Sequence, residues 1–99
     1  MYHVSPIGNL HTEGIKSGVR PNVGRYSSPW VYLGTLDYIF TQYFSYAPKG
    51  RYFLYEVNTE GLKLEYPTEG QAKILGNISA QRIRLIKEIH NNGVNPFNR

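Results

Sequence analysis

The 99 residues include no cysteine, a single aspartate, one methionine and one tryptophan. Without cysteine there is neither a disulfide scaffold nor a thiolate-ligated metal site. With Asp37 as the only aspartate and no Gly-x-Ser-x-Gly turn, Ser-His-Asp hydrolysis has no support. Equally missing are a G-x-G-x-x-G fingerprint, a Walker A loop and an H-E-x-x-H pair, which leaves Rossmann dinucleotide binding, P-loop chemistry and zincin chemistry without support. His3, His11 and His90 lie far apart without ligand-like spacing, so no metal site is expected. No apolar run approaches the ~18–20 residues of a membrane span. Met1-Tyr2-His3-Val4 begins no signal peptide. The expectation is a small soluble protein of the cytoplasm, without a membrane partner.

What is present suits one domain over residues 1–99, since domains cluster near ~100–150 residues. Aromatic residues make up 14% of the chain and charged residues only 18%, enough apolar surface to argue against disorder. The formal charge is +4, but each half of the chain nets +2, so the excess is spread. Arg82, Arg84 and Lys87 form the only basic cluster. It fits a solvated surface and, alternatively, contact with an anionic partner such as nucleic acid.

Local patterns give an order of elements. Tyr2-His3-Val4 is short and β-prone, closed by Ser5-Pro6. Asn9 to Ser17 reads as a short helix, with Asn9 as cap, Leu10, Gly14 and Ile15 on one face, and Gly18 as its end. Residues 20–29 read as a loop. Trp30-Val31-Tyr32-Leu33 is a strand, and Thr35 is placed to cap a helix whose Leu36, Ile39, Phe40 and Tyr43 share a face. Arg51 to Asn58 alternates as a strand, as does Leu62 to Tyr66, which should end at Pro67. Gln71 to Leu75 is a weaker strand. The segment from Ser79 fits a helix through Ile83 and Ile86 and equally a strand through Ile83, Leu85 and Ile89. Five or six short strands with two short helices make an α+β pattern.

Nine tyrosines stand out. They can fill a small core and its rim, or supply a stacking platform for a flat ring, which requires aromatics close in space. Tyr32 on a strand and Tyr43 on the following helix are placed to face one cleft. His3 fits a structural role and also a site role with Ser5, which shares its strand face. Glu65, Glu69 and Gln71 gather around a late strand, as solvated edge groups or as part of a site.

In order, these pieces resemble the ADP-ribosyltransferase fold in its His-Tyr-Glu branch, the outline shared by RNA 2′-phosphotransferases and DNA-modifying ADP-ribosyltransferases. The first strand reads Tyr2-His3-Val4-Ser5, followed by Asn9-Leu10, Glu13-Gly14-Ile15 and Gly18-Val19-Arg20-Pro21. The second motif reads Val31-Tyr32-Leu33-Gly34-Thr35, leading into the aromatic stretch Tyr38 to Tyr46. Two strands and the phrase Gly76-Asn77-Ile78-Ser79-Ala80-Gln81-Arg82-Ile83 close the match, which spans nearly the whole chain.

The resemblance implies a small split β-sheet core with two short helices and NAD as cofactor. His3, with Ser5 beside it, would hold the ribose, and Tyr32 and Tyr43 would sandwich the nicotinamide. The family's glutamate falls near Gln71, with Glu69 two residues earlier on the same strand face. Gln71 carries no negative charge, and Gly34 replaces the family's usual hydroxyl residue. The implied function is transfer of ADP-ribose to a macromolecular acceptor, protein or nucleic acid, with release of nicotinamide. The alternatives are a catalytically degenerate domain of the same fold acting as a binding or inhibitory protein, and a basic nucleic-acid-binding module.

Overall fold

Strands dominate the described residues and assemble into one antiparallel sheet. The computed structural model describes residues 1–17 and 29–97. Gly18, and all of the expected loop at 20–29 except Pro29, lie outside the described residues. In chain order come β1 (Tyr2–Ser5), α1 (Leu10–Glu13), β2 (Trp30–Gly34), α2, β3 (Gly50–Val57), β4 (Glu65–Thr68), β5 (Gln71–Leu75), a 3-10 turn (Ala80–Arg82) and β6 (Ile83–Asn91). Helix α2 is composite: α over Leu36–Tyr38, π over Ile39–Tyr43, and α again over Phe44–Tyr46. The α+β architecture with two short helices matches the expectation.

The sheet order is β4-β5-β2-β1-β3-β6. Strands β3 and β6 pair from Gly50↔Asn91 to Val57↔Ile83, with an irregularity between Leu54 and Tyr55. Strands β1 and β3 pair from Tyr2↔Glu56 to Ser5↔Phe53, and β2 and β5 from Trp30↔Leu75 to Gly34↔Gln71. Between β1 and β2 there is one pair, Tyr2↔Gly34. The sheet therefore opens into a seam beyond that point.

Because side chains alternate along a strand, β3 supplies both faces of the sheet. Tyr55 and Val57 join Leu10, Val31, Leu33, Ala72, Ile74 and Ile83 in one buried cluster. Tyr52 and Leu54 join Val4, Ile39, Phe44, Ala47 and Ile89 in the other, under α2. Tyr55 also pins the chain entering α1: its hydroxyl donates to the Ile7 carbonyl at 2.6 Å and accepts from the Leu10 N–H at 3.3 Å. Burial pushes this phenol's pKa above its ordinary value.

The ends of α1 and β4 differ from expectation, and the alternative left open after Ser79 is resolved. Helix α1 covers only Leu10–Glu13; the Asn9 side chain makes no cap, and its carbonyl instead accepts from Thr12 and Glu13. Gly14, at φ 83°, ends the helix and approaches Ile78 so closely that a Cβ would lie 2.8 Å from the Ile78 carbonyl oxygen. Ile15 and Ile78 then exchange backbone hydrogen bonds at 2.9 Å. Strand β4 begins at Glu65, and Leu62 and Leu64 pack from the preceding loop against the core. Pro67 does not stop β4, because this is an edge strand with a bulge between Glu65 and Thr68, where no ladder N–H is required. The segment after Ser79 resolves as a 3-10 turn and then a strand.

Candidate functional site

The seam between β1 and β2 is bridged by a side chain. His3 Nδ1 lies 3.0 Å from the Tyr32 carbonyl oxygen. A carbonyl only accepts, so Nδ1 carries the hydrogen in this contact. Where a fully paired β1 would offer a backbone N–H, the imidazole takes its place.

A cavity of about 660 Å³ opens at this seam, within the size range of small-molecule sites. His3 and Ser5 of β1, Tyr32 of β2, Tyr43 of α2 and Gln71 of β5 all line it. Four elements separated in sequence thus line one cavity. Ser5 is buried, and its Oγ accepts from the Ile7 N–H at 3.1 Å, so its oxygen is committed to the turn after β1. Tyr2, Trp30, Tyr38 and Tyr46 add further aromatic surface. Glu13 and Lys16 are the charged groups at the α1 end.

Tyr43 reaches the cavity because α2 changes pitch. The Phe44 N–H bonds to the Ile39 carbonyl, five residues earlier. This widened turn steps the buried positions from Ile39 to Phe44 and Ala47. In an unbroken α-helix Tyr43 would share the face of Ile39; the extra residue leaves it half-buried at the rim. Its ring is held edge-on by Tyr46 at 5.6 Å and Tyr52 at 6.3 Å between centroids. Such π segments recur at functional sites. Thr35 caps the helix as expected, its side chain accepting from the Tyr38 N–H at 3.2 Å.

Glu69 does not stand on the strand face of Gln71. Thr68 pairs with Gln71, so Glu69 and Gly70 form the turn between β4 and β5. The Gly70 carbonyl accepts from the Thr35 N–H at 2.8 Å and fastens this turn to the start of α2. Glu69 is exposed there and lines a separate recess with Asp37, Thr41 and Gln42. Of the two candidates at the family's glutamate, only Gln71 reaches the main cavity.

Tyr38 was not singled out by the sequence reading. It lines both the main cavity and the recess. Burial, and to a smaller degree the neighbouring Tyr46 hydroxyl, push its phenol above the usual tyrosine pKa, so it stays protonated. The one available signal was Gly34 four residues before Tyr38.

The basic cluster is largely engaged by the chain itself. Arg82 Nη1 donates to the carbonyls of Asn58 and Glu60, and Arg84 is paired with the Glu56 carboxylate. Among the described residues, no three His, Asp or Glu side chains gather as a metal site requires. No described helix is long and apolar enough to cross a membrane. No protein-family model, curated protein or solved structure matches this chain.

Proposed function

We propose that this chain is a minimal ADP-ribosyltransferase-like protein that binds NAD at the β1–β2 seam and transfers ADP-ribose to a protein or nucleic-acid acceptor, releasing nicotinamide. The observation carrying this reading is that His3, Ser5, Tyr32, Tyr43 and Gln71, singled out by motif order, line one cavity. The residues present fit the ligand's parts: aromatic faces for flat rings, neutral donors and acceptors for sugar hydroxyls, and Lys16 as a cation for phosphate.

NAD supplies a glycosidic bond that breaks with its electrons leaving on nicotinamide, so positive charge develops on the ribose. Tyr32 and Tyr43 hold the leaving ring between their faces. His3, orientated through Nδ1 by the Tyr32 carbonyl, presents Nε2 to a ribose hydroxyl. Preorganised groups of this kind are each typically worth ~2–4 kcal/mol of barrier. Gln71 orients through its amide but adds no charge stabilisation. That neutral amide, with Glu69 outside the cavity, also favours a second reading, a domain that binds NAD or a partner without turnover.

NAD titration by calorimetry, with nicotinamide release followed by chromatography, tests the proposal. Binding with release in the presence of acceptor supports the enzyme; binding without release supports the second reading. No binding up to millimolar NAD removes the enzyme and the NAD-binding form of the second reading, leaving a domain that binds a partner. His3→Ala is expected to weaken NAD binding about tenfold, on the order of one hydrogen bond. Unchanged affinity in a folded His3→Ala protein would refute the site.

A further inference from the structure

Gly34 and Gly70 meet the same side chain. A Cβ on Gly34 would stand 3.1 Å from Tyr38 Cδ1 and 3.3 Å from Ile39 Cγ1. A Cβ on Gly70 would stand 3.1 Å from Tyr38 Cβ and 3.1 Å from Thr35 Oγ1. Gly70 has φ 81° and is required by its turn in any case, but Gly34 has no positive φ. Backbone conformation therefore does not explain a glycine at the end of β2. The volume of the Tyr38 ring does.

Gln71 sits directly across the ladder from Gly34, so it projects on the same face of the sheet as the missing Gly34 side chain. The Tyr38 ring and the Gln71 side chain thus occupy neighbouring ground at one end of the cavity they both line. Neither the Tyr38 hydroxyl nor the Gln71 amide has a hydrogen-bond partner within the described residues, and neither is sealed from solvent. Two neutral groups, each both donor and acceptor, are matched to a vicinal diol; a phosphate would call for cations.

Resting on the NAD reading above, we propose that Tyr38 is a ligand-contacting residue whose hydroxyl, beside Gln71, hydrogen-bonds the ribose of the nicotinamide riboside unit. It returns to the site the hydroxyl that Gly34 removes from the second motif. The ring enters from α2, and the two glycines are the seat that receives it. Contact through the hydroxyl makes Tyr38 a determinant of selectivity for a ribosylated ring over the free base.

Tyr38→Phe keeps the ring in its seat and removes only the oxygen. Calorimetric titration of parent and variant with NAD and with nicotinamide, beside thermal melting of both, tests the assignment. The variant is expected to bind NAD about tenfold more weakly, as for one lost hydrogen bond. Its nicotinamide affinity and melting temperature should not move. Equal NAD affinity in the two proteins overturns the contact and leaves the NAD reading standing. A parallel loss of nicotinamide affinity, or a lower melting temperature, also overturns it, by assigning the effect to ring stacking or packing. Failure of the parent to bind NAD removes the functional reading and this contact together.

Discussion

Strand β1 has two neighbours and meets them differently. Against β3 it pairs at four consecutive positions, and β3 in turn pairs with β6 along its whole length. Against β2 it pairs once, at Tyr2↔Gly34, and then leaves the edge of β2 to a side chain. The closed half carries large buried residues on both faces of β3. The open side carries the cavity and the residues with chemistry to offer. Where the ladder lapses, the edge of β2 is met by the His3 imidazole, and the cavity opens beside it.

The comparison can be broken first at its strong end. Leu54, 2% exposed on β3, is expected to cost ~2–5 kcal/mol when changed to alanine. Chemical denaturation measures this, and a cost below about 1 kcal/mol would show that the closed half is not the source of stability. His3→Ala at the seam should shift the midpoint far less, its expected effect being on the proposed NAD affinity.

Tyr55→Phe is the intermediate case. It strips the hydroxyl that joins Ile7 and Leu10, with an expected loss of ~1–3 kcal/mol at neutral pH. Its pKa is raised in the folded protein, so its contribution is complete below the ordinary value near 10 and is lost as pH rises through the folded value. The parent should therefore lose more stability than the variant in alkaline solution, and parallel melting curves above pH 10 would contradict the burial of this phenol. At the weak end, Arg84→Ala removes an exposed pair with Glu56 and should change stability by no more than ~1 kcal/mol, less at high salt.

Much of this was legible where local chemistry and tertiary packing agree. The run Trp30-Val31-Tyr32-Leu33 marked β2, alternation marked β3 and β5, and Thr35 announced the start of α2. Tyr32 and Tyr43 could be paired in advance because a strand and the helix after it can face one cleft, whereas His3 was joined to them only through the resemblance. The misreadings share a cause in contacts from elsewhere in the chain. Leu62 and Leu64 imitate a strand because they alternate, yet they pack from a loop. Asn9 looks like a cap, but the approach of Ile78 to Gly14 ends α1 within one turn. The π turn in α2 is invisible to a 3.6-residue periodicity, which places Tyr43 on the face that Phe44 takes. Glu69 was placed on the strand face of Gln71 by counting two residues back, but with Thr68 paired to Gln71 that step falls in the turn.

The Gly34–Tyr38 contact has a consequence for evolution by single steps. A hydroxyl-bearing residue at 34 and an aromatic ring seated at 38 compete for one space, so neither substitution is neutral alone. A sequence moving from one arrangement to the other must cross a poorly packed intermediate or change both positions at once. Among descendants of this chain, positions 34 and 38 should vary together, as a joint character. A pattern that scores them independently will reject chains that satisfy the same geometry by the other route.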